Sequence, residues 1–128
     1  SVSAFSNYLE NKILLHVLSN TSYTSPTTVY LGLHTADPTD AGTGTEVSGG
    51  AYARQSFAST ISGNAASNTS AIEFPTATGS WGTIGWVGVW DNVSGGNLLF
   101  HGALTTSKTI ASGDVFRVPA GDLDITLD

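Results

Sequence analysis

Cysteine is missing altogether from this 128-residue sequence, which excludes disulfides and thiolate-bound metals and leaves the redox compartment unmarked. Charge is scarce as well. Asp, Glu, Lys and Arg make up 11% of the residues, where soluble domains average about 25%. Bases are the scarcest: Lys12, Arg54, Lys108 and Arg117 stand against ten acids, for a formal net charge of −6. Four scattered bases cannot track a phosphate backbone, so direct nucleic-acid binding is not expected. No apolar run approaches the ~20 residues of a membrane span, so no membrane partner is expected. The first residues also lack the basic and apolar regions of a signal peptide.

Ser, Thr, Asn and Gly take the place of the missing charge. Such a neutral polar surface suits a protein whose faces are covered by neighbours, or one assembled outside a cell. It is less typical of a free cytoplasmic enzyme. The length fits one domain over residues 1–128, able to bury somewhat under ~70% of its unfolded surface. An apolar content of 40%, with five Phe, four Tyr and three Trp, supports a folded core rather than disorder.

Hydrophobic periodicity divides the chain into a helix over about 3–18 and a β domain over about 27–128. Phe5, Leu9, Ile13, His16 and Val17 recur at i, i+4, i+8, i+11 and i+12, one stripe at the helical period. Ser3 fits the N-cap, and "SNTSYTSP" ends the helix with turn formers and Pro26. The period then switches to two. "TVYLGLHT" sets Val29, Leu31 and Leu33 on one face and Tyr30, Gly32 and His34 on the other.

Residues 36–50, "ADPTDAGTGTEVSGG", read as a long, solvated, flexible loop. Further strands are expected in 51–60, around Ile72 and Phe74, over 83–90 and 97–104 as a hairpin across "DNVSGG", and in "TSKTI" and "VFRV" about an "ASGD" turn. In the tail "GDLDITLD", Leu123, Ile125 and Leu127 point inward. The expected architecture is mainly β: an antiparallel β-sandwich or barrel of about seven or eight strands with one N-terminal α-helix packed against it.

Candidate chemistry is thin. His16, His34 and His101 show no metal-ligand spacing and accompany no carboxylate in a known motif. "GxSxG" is absent, which argues against the best-marked acyl-transfer site. Asp37, Asp40 and Glu46 lack the alternation and closing Glu of an EF-hand. "GTGTEVSGG" has no "GK[ST]" to make a phosphate cradle. The sequons at 20–22, 68–70 and 92–94 are read as chance matches in an Asn/Ser/Thr-rich chain. No catalytic, cofactor-binding or metal site is assigned, and no cofactor is expected.

The three tryptophans fall in "SWGTIGWVGVWD". Strand parity puts Ile84, Trp86, Gly88 and Trp90 on one face, and Thr83, Gly85, Val87 and Val89 on the other. Trp81 precedes the strand and is out of phase. A sugar platform would need coplanar exposed rings, whereas Gly88 leaves room between Trp86 and Trp90 for a group from a facing element such as the helix. Burying three indoles of ~200 Å² each contributes up to about 15 kcal/mol at ~25 cal/mol/Å². The favoured reading is therefore core or subunit contact, with Trp81 the ring to check for exposure.

"FPTATGSWGTIGWVGVWDNVSGGNLLFHGALTTSKTIASGDVFRVPAGDLDITL" resembles a family of small bacteriophage structural proteins often labelled tail-fibre proteins. "SNYLENKIL" and "TVYLGLHTADPTDAG" in the first half agree, so the likeness covers nearly the whole chain. Trp86 and Trp90 depart from the smaller or other aromatic residues expected there. The resemblance implies a non-enzymatic virion component and carries no active-site residues.

On that basis the first expectation is a capsid cement or decoration protein, bound as a homotrimer to the major capsid protein. A tail fibre, tail-tip or baseplate component is the alternative, and a glycan-binding module the second. Phe5, Leu9, Ile13, Asp37, Asp40, Trp81, Trp86 and Trp90 are the candidate interface residues.

Overall fold

A computed structural model describes residues 2–127. The element order is β1 (Ala4–Phe5), α1 (Asn7–Leu18), β2 (Val29–His34), β3 (Gln55–Phe57), β4 (Ser59–Ser62) and β5 (Ala65–Asn68), then β6 (Ile72–Glu73), β7 (Gly82–Trp90), β8 (Leu98–Ile110), β9 (Arg117–Val118) and β10 (Asp124–Thr126). The fold is mainly β, built from packed antiparallel sheets with its helix near the N-terminus, as the period-two pattern predicts. A five-stranded sheet runs β1-β8-β7-β2-β3, a three-stranded sheet runs β10-β5-β4, and β6 pairs with β9.

The described residues hold ten strands, roughly the expected seven or eight, several of them short pieces. The single strand expected in 51–60 breaks at Ala58, so that β3 joins one sheet and β4 the other. β5 was not foreseen, since Ala65–Asn68 offers neither β-branched residues nor alternation. "TSKTI" is not a separate strand but the end of β8.

The core lies between the sheets. Leu31 and Leu33 of β2, Val87 and Val89 of β7, and Leu99 of β8 supply one wall. Ile72, Phe74, Phe116, Leu123 and Ile125 close it from the other side. The inward positions expected in the tail hold for Leu123 and Ile125, while Leu127 is half-buried. The chain's start ties the two sheets together: Val2 exchanges backbone hydrogen bonds with Asp124 and Thr126, and Ala4–Phe5 pairs with β8.

The helix starts later than its stripe suggests. Ser6, not Ser3, is the N-cap, its Oγ accepting from the Leu9 N–H at 3.1 Å. Phe5 thus belongs to β1, where its ring meets Phe100 edge to face at 5.3 Å. Only Leu9 of the helix is fully buried, and Ile13 is half-buried. His16 and Val17, placed on the inward stripe by spacing alone, are exposed. The stripe fails in the last turn because α1 packs chiefly against β8 and runs past it.

In β7 the strict alternation also slips. Ile84 and Val87 are three residues apart, yet both lie in the core. Between them the pairing jumps from Ile84↔Lys108 to Trp86↔Ala103, leaving extra residues of β8 bulged out. A bulge shifts parity by changing which residues oppose one another. Ile84 therefore faces inward, not with Trp86 as simple parity expects.

Candidate functional site

The outer face of the five-stranded sheet brings together some of the candidate residues, around two facing glycines. Gly32 of β2 and Gly88 of β7 lie directly opposite each other in the ladder. With no side chains there, the Trp90 indole and the His34 imidazole lie over the backbone, roughly parallel at 15° with centroids 6.0 Å apart. A Cβ on Gly88 would come within 2.9 Å of both His34 Nε2 and Trp90 Nε1. The space beside Gly88 is thus used by neighbouring rings of the same sheet, not by the helix.

Residues 36–50, expected to be flexible and solvated, fold back over this face. Pro38 and His34 are fully buried and Val47 joins the core. Thr35 N–H donates to Thr45 O at 2.9 Å, and Val47 N–H donates to Leu33 O at 3.0 Å. Gly42 packs against Leu98 and the Trp90 ring. The Asp40 carbonyl accepts from Asn7 N–H, which fastens the loop to the start of α1. The loop is a packed strap because the two glycines let flat rings form a smooth apolar floor for it.

Charged groups clamp both ends of the strap. Glu46 makes a two-point ion pair with buried Arg54: Nη2 to Oε1 is 2.8 Å and Nε to Oε2 is 2.9 Å. Arg54 Nη1 also donates to the carbonyls of Asn92 and Gly95, and its guanidinium sits 3.9 Å from the Trp90 ring centroid. Tyr52 donates to Glu46 Oε2 at 2.6 Å and accepts from Leu33 N–H at 2.9 Å. At the other end, His101 Nε2 lies 2.8 Å from Asp40 Oδ1, with Asp37 Oδ1 3.6 Å from its Nδ1.

Burial by itself would raise the Glu46 carboxyl, but hydrogen bonds from Arg54 and Tyr52 and the guanidinium charge overcome it and hold the group below the usual carboxylate range. The Tyr52 hydroxyl is pushed up, first by burial and then by the Glu46 carboxylate. Burial pushes His34 down, favouring the neutral ring, despite the nearby Glu46 charge. His34 Nδ1 faces Gly44 O at 3.4 Å, so Nδ1 carries the proton and Nε2 is left as an acceptor. Among the described residues, Nε2 and the Trp90 Nε1–H have no hydrogen-bond partner.

Of the eight candidates, Trp90, Asp37 and Asp40 come together at the strap. Trp86, half-buried, stands opposite His34 in the ladder. Trp81, the ring in doubt, is only 4% exposed. It donates to Gly50 O at 2.9 Å and meets Tyr52 and Phe74 edge to face. Phe5, Leu9 and Ile13 lie apart, where α1 enters the fold. Sequence reasoning weighed Glu46 only as a loop acid and Arg54 only as a scattered base, and missed their pairing and Tyr52. Their only signal was the rarity of charge, since an acid and a base eight residues apart in a neutral stretch invite pairing.

This arrangement holds the loop ends together. Glu46 spends its hydrogen-bonding capacity on Arg54 and the Tyr52 hydroxyl, and Arg54 on Glu46 and two backbone carbonyls. Among the described residues, no Ser or Thr hydroxyl is hydrogen-bonded to an imidazole, and no group of three or more His, Asp or Glu is placed to hold a metal ion. A cleft of about 620 Å³ between residues 26–29 and 56–59 is lined by Thr, Ser and apolar side chains, with no titratable group. Among the described residues, no helix is long and apolar enough to cross a membrane.

Set against known families, residues 4–126 match the family model described as Podophage GP4 fiber I protein gp80. No curated protein matches the chain.

Proposed function

Because the chain belongs to the family described as Podophage GP4 fiber I protein gp80, and is therefore a bacteriophage virion structural protein, we propose that it serves as a non-enzymatic domain of a virion fibre. The observation that carries this reading is the length of the match, which takes in the helix, both large sheets and the strap. The strapped sheet supports it physically. A fibre domain meets the medium unprotected, and a loop locked by a buried ion pair resists opening better than a solvated one.

Capsid cement, favoured by the chain's compactness when the sequence is read alone, is the second reading, with the major capsid protein as partner. A glycan platform has less support, since Trp81 and Trp90 are buried and only Trp86 is half-buried. The test is copy number. Quantifying this protein against the major capsid protein in purified particles should give tens of copies, with labelled antibody bound at fibres. Hundreds of copies spread over the shell would replace the fibre reading with the cement one.

A further inference from the structure

Two buried polar atoms face one hollow on the outer side of the five-stranded sheet. Among the described residues, the Trp90 Nε1–H and His34 Nε2 have no hydrogen-bond partner, each other included. Both side chains are buried, Trp90 being 8% and His34 0% exposed. Buried polar groups in folded proteins are paired with protein or with ordered water, since an unpaired one forfeits the bond that solvent gave it.

The two glycines open the hollow. Gly32 and Gly88 stand opposite each other in the β2–β7 ladder. The position a Gly88 Cβ would take is 2.9 Å from both nitrogens, and that of a Gly32 Cβ is 3.0 Å from Trp90 Nε1. The nitrogens are therefore no further apart than twice that 2.9 Å, a span that one water bridges with two ordinary bonds of about 2.9 Å.

We infer that one buried water molecule is bound in this hollow, accepting from Trp90 Nε1–H and donating to His34 Nε2. The chemistry of the two atoms selects it. An indole N–H only donates, and the Nε2 of an imidazole protonated at Nδ1 only accepts, so whatever joins them must do both. Charged ligands are disfavoured. Glu46 Oε2, 2.9 Å from the Gly32 Cβ position, opposes an anion, and the Arg54 guanidinium, 3.9 Å from the Trp90 ring centroid, opposes a cation. Leu98 Cδ1 closes in to 2.8 Å from the Gly88 Cβ position, which suits a single water rather than a larger ligand. Two polar partners are enough to hold a buried water.

The water is a positioning element for the strap. His34 Nδ1 faces Gly44 O at 3.4 Å, and Gly42 packs against the Trp90 ring. A water O–H on Nε2 fixes the proton on Nδ1, the tautomer that reaches the strap.

A crystal structure of the wild type at atomic resolution tests the site, together with nitrogen NMR in solution. The density should hold one water oxygen within about 3.2 Å of both nitrogens. The Trp90 indole N–H, identified by its loss in Trp90→Phe, should show a cross-peak to water. That of Trp81, which donates to Gly50 O, should show none. The His34 nitrogen shifts should report a protonated Nδ1 and a bare Nε2. Density without such an oxygen, or with the two nitrogens in direct contact, overturns the inference. A missing Trp90 cross-peak does the same, as does a proton on Nε2, to which the water could not donate. The density requires no variant, so it decides even where Trp90→Phe fails to fold. The site belongs to the folded chain alone, so failure here leaves the fibre reading standing.

Discussion

Gly88 shows at the scale of one residue how the sequence permits the strap. Alanine there would place a methyl within 3 Å of Leu98 Cδ1, His34 Nε2 and Trp90 Nε1. Gly88→Ala should destabilise the protein by about 1–3 kcal/mol, read as a lower urea midpoint at unchanged slope. Glu46→Ala strands the Arg54 guanidinium, itself only 8% exposed, and should cost about 3–5 kcal/mol. The exposed pair of Glu73 with Arg117, at 3.7 Å, gives the control: Glu73→Ala should leave the midpoint where it was.

The same residues set the acid response. His34 sits below its ordinary value in the fold, so the unfolded chain binds more protons once pH drops under about 6.5, and stability falls from there. Glu46 is also held low. Its contribution is present above the ordinary carboxylate value of about 4.3 and is lost as pH falls through the folded value. Both signs agree, so urea midpoints should decline from pH 7.5 to 5.5 and again towards pH 4. A flat profile down to pH 5 would dispose of the His34 part.

At the scale of elements, α1 and the 36–50 strap carry the lesson. The helix is held by its start: the Ser6 cap, the Ser6 N–H bond to Leu99 O, and Leu9. Ser6→Ala should cost about 1 kcal/mol, measured by thermal or urea unfolding. The strap, though glycine-rich, should survive limited proteolysis at neutral pH. Cleavage should appear within 36–50 in Glu46→Ala, where the ion pair no longer closes its end. Rapid cutting of the folded wild type there would contradict the packed geometry. The sequence showed the element types of both segments but not their attachment, because a cap three residues away and a loop clamp eight residues long depend on what each meets in space.

Across the whole molecule, two sheets share one core while the outer face of the larger sheet is sealed by its own chain. This reconciles low charge with stability. Arg54, Glu46, Asp37 and Asp40, four of the fourteen charged side chains, are spent on the strap rather than spread over the surface. Among the described residues, four of the six well-exposed large apolar side chains lie on the last turns of α1 (Leu14, Val17 and Leu18) and on β4 (Ile61).

The sequence by itself determined the mainly β class, the N-terminal helix, the two faces of β2, the β7–β8 hairpin and the inward Leu123 and Ile125. Each follows from local alternation, which needs only one buried face to be written into a segment. Tertiary structure decided the rest. The bulge that turns Ile84 inward, the burial of Trp81 beside Tyr52 and Phe74, and the closing of 36–50 by Arg54 join residues distant in sequence. Periodicity reports which side of an element is apolar, but not which neighbour arrives to cover it.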